Sequence, residues 1–367
     1  MKVICNRGAL LDAVSLTGTV ANPRSPKPAL GCIKLTAGED RLTLAATDLE
    51  VAIRYSDAQV QVEQPGETLI PVDKLRDIIR ESTDDTLALS LEGDQVHIKG
   101  HDSHFKTFTQ NPADFPAVPD FEGEPDLQIA GGTLKQLISQ TSFAAAKEGT
   151  RYAFNGVLAT IKNKRAQFVG TDGRRLALAR GDVVSVGKQG ESATAIVPAK
   201  AMSLVDKLVG NPEDPISVQF RENQIIFHTA FATLTSSLVD GQFAPYEDVI
   251  PKECDRKMTA STAYFLSAVK RASLLTSDDS KGIRMSFSKK GLVLSSRNPE
   301  AGEAKVDFPC KYEGGDLEVG FNPHFLIDGL RFVNGDEVTL ELSAANRPGL
   351  LKGGPDFLYV IMPVNLQ

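Results

Sequence analysis

The chain repeats one pattern three times, roughly 125 residues apart, and that constrains its fold more than any single residue does. An alternating strand (Leu42, Leu44, Ala46) closes on Thr47-Asp48, and 124 positions later another closes on Thr171-Asp172. Each is followed by a second apolar strand, Val51 to Tyr55 and Leu176 to Arg180. Helix starts then recur at Pro71-Val72-Asp73-Lys74-Leu75, at Pro198-Ala199-Lys200-Ala201-Met202 and at Phe321-Asn322-Pro323-His324-Phe325. A long-period repeat implies like modules packed on like modules, not one catalytic core. The 367 residues are too many for one ordinary core and divide into three modules of usual domain size. Their expected spans are 1–125, 126–254 and 255–367. The boundaries fall in the Pro- and acid-rich stretch Pro116 to Pro125 and the loop Pro245 to Asp255.

Within each module the pattern reads helix, strands, helix, strands. First helices are expected over Gly8 to Thr19, Gly132 to Lys147 and Ser261 to Thr276, with apolar residues at helical spacing such as Leu134, Leu137 and Ile138. The second helices follow the starts quoted above and carry Leu75, Ile78 and Ile79, then Leu204, Val205 and Leu208, then Leu326, Ile327 and Leu330. Short alternating strands such as Leu87 to Leu91 and Val338 to Leu342 lie beside Gly-Asp turns. The fold class is α+β: three modules, each with two helices packed on antiparallel sheet.

No stretch reaches the ~20 apolar residues of a membrane helix, and the N-terminus has no secretion-like apolar run, so a cytosolic protein is expected. Cys5, Cys32, Cys254 and Cys310 are far apart with no CxxC pair, against both a disulfide framework and a thiolate metal site. The net charge of −7 argues at first against nucleic acid as partner. It is unevenly placed. Residues 1–125 hold 12 Lys and Arg against 20 Asp and Glu, whereas the six expected helices hold ten basic residues against six acidic. That is the right sign for a helical face beside phosphates, although a surplus this small also fits ordinary solvated helices.

Catalysis finds little support. His97, His101 and His104 could be imagined on a metal, but His101-Asp102-Ser103-His104 reads as a turn. Asp48, Glu50 and Asp172 could be catalytic carboxylates, yet Asp48 and Asp172 recur at equivalent repeat positions, as turn residues do. There is no GxxxxGK[ST] loop and no nucleophile elbow. No metal and no cofactor are expected.

Several ordered runs together resemble the bacterial sliding clamp family, the DNA polymerase III beta subunits, along the whole chain. They include Thr47-Asp48-Leu49-Glu50, Asn111-Pro112-Ala113-Asp114-Phe115-Pro116, Arg151-Tyr152 with Asn155-Gly156, and Gly170-Thr171-Asp172-Gly173-Arg174-Arg175-Leu176-Ala177. Leu238-Val239-Asp240-Gly241, Gly320-Phe321-Asn322 and the tail Tyr359-Val360-Ile361-Met362-Pro363 complete the set. The resemblance implies a head-to-tail homodimer closing a six-module ring, helices inside and sheets outside. Such a ring encircles duplex DNA without reading its sequence. It implies partners: the polymerase III catalytic subunit, an ATP-driven clamp loader, and other polymerases and repair proteins carrying a clamp-binding peptide. The other reading is a repeat-built scaffold of the same fold that binds peptides without being loaded in replication.

Site residues implied by the resemblance fall in three groups. DNA contact is expected of Arg24, in a proline-stiffened loop, of Arg151 with Tyr152, and more weakly of Lys74 and Lys200. Asp73 and Ala153 depart from the basic and aromatic residues familiar there. A partner-peptide cleft is expected from Phe154, Thr171, Gly173, Arg174, Arg175 and Leu176, from Val249, and from the tail residues Val360, Ile361, Met362, Pro363, Val364 and Leu366. Ala244, Asp248 and Asn365 depart from the family pattern and bear on peptide preference. Dimer closure is expected to bring Phe105 and Thr107 against Leu274 and Leu275 of the other copy.

Overall fold

The computed structural model describes residues 1–57, 59–147, 153–187, 190–276 and 282–365. The six helices are α1 (Arg7–Thr17), α2 (Val72–Glu81), α3 (Gly131–Thr141), α4 (Ala199–Leu208), α5 (Thr262–Ala272) and α6 (Pro323–Arg331). Their starts follow local chemistry. Asn6 caps α1, its Oδ1 accepting from the Ala9 amide at 3.0 Å, and Asn322 caps α6 through the His324 amide at 2.9 Å, with Pro323 in the first turn. The first helices end earlier than periodicity alone predicts. At α1 the Gly18 amide closes on the Val14 carbonyl (2.8 Å). After α3 and α5 the chain tightens into 3-10 turns, Ser142–Ala144 and Ser273–Leu275, so Lys147 lies off the helix. Apolar periodicity continues through such a turn although the hydrogen bonding has changed. Among α1 to α6 the balance is still ten basic residues to six acidic, because Arg7 replaces Lys147.

Contacts divide the chain into two compact units. The first comprises Met1–Gly132, Val183–Glu191 and Ser203–Leu238; the second comprises Thr133–Asp182, Ser192–Met202 and Val239–Gln367. The first holds a five-stranded and a nine-stranded antiparallel sheet, with α1 packed on α2. The second holds another nine-stranded and a four-stranded sheet, with α5 packed on α6.

The repeat and these units do not coincide, because neighbouring modules complete each other's sheets. In the first unit the strand Ala232–Ser237 of module two pairs with Val51–Asp57 of module one, placing Leu234 opposite Ile53. In the second unit Phe357–Ile361 pairs in the same way with Arg175–Asp182, placing Val360 opposite Leu176. A third strand of each kind has no such neighbour among the described residues. His104–Phe108 ends the five-stranded sheet, and Gly302–Phe308 ends the four-stranded one.

Candidate functional site

The turn after the repeated Thr-Asp pair builds one wall of a cavity. Thr171 Oγ1 donates to the Arg175 carbonyl (2.6 Å) and accepts from the Gly173 amide (3.1 Å). Asp172 Oδ1 accepts the amides of Arg174 (2.9 Å) and Arg175 (3.1 Å). This lattice forces a left-handed residue, Gly173 at φ 84°. Module one repeats it bond for bond: Thr47 to the Val51 carbonyl at 3.0 Å, and Asp48 Oδ1 accepting from Glu50 (3.0 Å) and Val51 (2.8 Å). There the left-handed residue is Leu49, at φ 82°. Both aspartates are therefore turn-formers.

Beside this turn lies a cavity of about 90 Å3. Leu176 and Val360, opposed in register, form its floor on a core of Leu158, Val169, Leu178 and Leu350. The connector between modules two and three crosses above. Phe243 stands edge-on to Phe154 at 5.8 Å, and the Tyr246 hydroxyl accepts from Gln167 Nε2 at 2.8 Å. Burial pushes the Tyr246 hydroxyl pKa up, which keeps it neutral. Val249 (47% exposed) and Met362 (39%) form an apolar rim.

Arg175 also lines the cavity, but its charge is spent inward. Its Nε meets Asp172 Oδ2 at 3.1 Å, Nη1 meets Asp328 Oδ2 at 2.7 Å, and Nη2 donates to the Phe143 carbonyl at 2.8 Å. The guanidinium lies 4.6 Å from the Phe325 ring centre. With three edges engaged, it braces the turn against α6 and offers a ligand mainly its stem. Past Met362 the surface widens into a polar groove beside Asp248, Lys252, Glu253 and Arg347.

Of the expected cleft residues, Phe154, Thr171, Gly173, Arg175, Leu176, Val249, Val360 and Met362 line this cavity. Arg174 does not: its side chain is exposed, and its carbonyl accepts the Met362 amide at 2.9 Å. Ile361 is fully buried and is corrected to a core position, since strand alternation turns it away from Val360. Pro363 and Val364 lie outside the lining, with the Val364 amide bonded to the Gly320 carbonyl at 2.9 Å. Leu366 is outside the described residues. Sequence reasoning missed Pro245 and Tyr246 as lining residues; the dense punctuation of that loop was the available signal. A mostly apolar cavity with a few backbone and hydroxyl groups suits apolar side-chain anchors and offers no nucleophile with its base.

The other expected residues are scattered. Arg24 is exposed in its loop, with its amide bonded to Asn22 Oδ1 at 3.1 Å. Lys74 and Lys200 are exposed near the starts of α2 and α4. On α2, Asp73 holds Arg76 at 2.9 Å and Asp77 holds Arg80 at 3.0 Å, leaving that helix electrically balanced. Arg151 and Tyr152 lie outside the described residues. Phe105 is 38% exposed on the edge strand His104–Phe108 with Thr107 half-buried, and Phe108, missed by sequence, is 67% exposed. Leu274 is 77% exposed in its 3-10 turn, which removes core packing as its explanation, and Leu275 is half-buried. His97 Nδ1 and His104 Nε2 share a hydrogen bond of 3.1 Å, and desolvation, then Lys99, lowers the His104 pKa. Among the described residues no cluster of three or more side chains could hold a metal ion, and all four cysteines are free.

Three linked α+β modules with an apolar cleft and unpaired sheet edges define the DNA-clamp class of fold. Family models for the N-terminal, central and C-terminal domains of the DNA polymerase III beta subunit match residues 1–119, 128–245 and 247–365. The beta sliding clamps of Pseudomonas putida and Escherichia coli are 33% and 30% identical to the chain, in each case over the full length of both. A sliding-clamp crystal structure from Pseudomonas aeruginosa, bound to griselimycin, superposes with a TM-score of 0.94 at 31% identity, covering all of both chains. The chain belongs to the DNA polymerase III beta subunit family, the beta sliding clamps, which are non-catalytic processivity factors.

Proposed function

We propose that two copies of the chain close head to tail into a six-module ring around duplex DNA. The ring holds the replicative polymerase, and other enzymes bearing a short clamp-binding peptide, through the cleft at Leu176, Val249, Val360 and Met362. One observation carries the reading. The two strand junctions within the chain follow one rule, and the strands that would make a third, His104–Phe108 and Gly302–Phe308, both end their sheets. An edge strand with exposed Phe105 and Phe108, and a second with exposed Leu274 on the 3-10 turn packed against it, are what such a seam needs. The surplus of basic residues on the helices supports a phosphate-facing inner wall, with Arg24, Lys74, Lys200, Arg151 and Tyr152 as the proposed DNA contacts. The proposed setting is the cytoplasm; no described helix is long and apolar enough to cross a membrane.

The test is to load the protein with its ATP-driven loader onto nicked circular DNA, wash in high salt, then linearise the circle. Retention on the circle and loss on cutting is the expected result. Equal, salt-sensitive loss from circle and line, with a loader shown to be active, would remove the ring and leave a peptide-binding scaffold.

A further inference from the structure

The connector between modules one and two crosses its sheet as the second connector does, yet leaves a groove open. Phe115 packs on Ala29, Cys32 and Leu69, as Phe243 packs on the core beneath the cleft. Three residues beyond Phe243 stands Tyr246, which fills the space over its sheet; three beyond Phe115 stands only Val118. The floors differ as sharply. Register places Leu158, Val169 and Leu178 side by side under the second connector. The same row under the first is Lys34, Ala45 and Arg54. The result is a groove of about 550 Å3, with two cations flanking a small residue and an apolar wall from Phe115 and Val118.

The cations are positioned but not saturated. Lys34 Nζ meets Glu67, which stands opposite Thr36 and itself lines the groove, at 2.8 Å, and Arg54 Nη2 meets Asp120 of the connector at 3.2 Å. Neighbouring strands are ~4.8 Å apart, so one carboxylate seated over Ala45 reaches a cation on either side. We propose that this groove is a second peptide-docking site, taking an extended segment whose acidic side chain sits over Ala45 between Lys34 and Arg54. Apolar neighbours of that acid would lie on Phe115 and Val118. The groove shares no lining residue with the module-two cleft.

The test uses acetyl-Leu-Glu-Leu-amide and its Leu-Gln-Leu counterpart on methyl-labelled full-length protein, followed by NMR up to ~10 mM peptide, where weak docking registers. The acidic peptide is expected to shift the Ala45, Ala117 and Val118 methyls at least tenfold more strongly than the amide peptide. V118Y, which copies Tyr246, and R54Q are each expected to abolish that shift, while Val249→Asp leaves it intact. Shifts only at Val249, Val360 and Met362, equal response to both peptides, or a response surviving V118Y and R54Q would each overturn the proposal. The Val249→Asp arm separates failure of this groove from failure of the cleft.

Discussion

Leu274→Ala tests ring closure with a magnitude that follows from exposure. The substitution removes three carbons, worth ~0.8 kcal/mol each when buried, and the side chain is 77% exposed in the single chain. Burying that fraction at a seam contributes about 1.8 kcal/mol. Two copies closing head to tail form two seams with one Leu274 in each, so dissociation loses the contribution twice, ~3.5 kcal/mol, or a few hundredfold in the dimer constant. Because the residue is exposed in the single chain, its removal should leave the protomer's unfolding transition within about 0.5 kcal/mol. Mass photometry over a dilution series gives the dimer constant, and urea unfolding of diluted protein gives the protomer's stability. Val184→Ala is the control, an exposed apolar residue (61%) that belongs to neither edge strand. A dimer constant within ~3-fold of the parent's would refute the seam. So would a large loss of protomer stability, since Leu274 would then be a core residue.

Three further outcomes are expected. Val249→Asp places a charge on the exposed apolar rim of the cleft and should weaken a fluorescent peptide with apolar anchor residues by roughly 10- to 100-fold in anisotropy titrations, leaving the fold intact. Leu49→Gly relieves a left-handed residue that the repeat itself fills with Gly173, and should raise the unfolding free energy in urea titrations by a net ~0.5–1 kcal/mol; no gain would mean the φ of 82° carries no strain. Gly329→Ala puts a Cβ 2.4 Å from the Tyr359 ring, so α6 must shift, at a cost of about 1–3 kcal/mol in urea unfolding.

The three-module α+β plan was legible because repetition is a global signal, unaffected by the blurred ends of any one element. Thr47-Asp48 and Thr171-Asp172 showed it best, since the same side-chain lattice forces the same turn wherever those residues stand. Helix ends were less legible. The apolar period passes from α3 through Ser142–Ala144 unbroken, and only hydrogen bonding marks the change. The cleft was half legible. Leu176 and Val360 are recognisable singly, but their pairing across 184 positions is a property of the sheet. Strand alternation alone could have removed Ile361, given the inward-facing Val360. For Tyr246 the loop's punctuation marks a connector, but its bond to a distant glutamine, Gln167, is a property of the fold.

The exchange of strands between modules also fixes where such a ring can come apart. At Val51–Asp57 with Ala232–Ser237, and at Arg175–Asp182 with Phe357–Ile361, the two partners belong to one polypeptide. A ladder that frays there re-forms at an effective concentration that the connector keeps in the millimolar range or above, however dilute the protein. The strands His104–Phe108 and Gly302–Phe308 have no such tether to a counterpart in the other copy. The proposed junction between copies therefore re-closes at a rate that falls with dilution, as the two within the chain do not. An opening enzyme has only to prise one seam, because dilution favours release nowhere else.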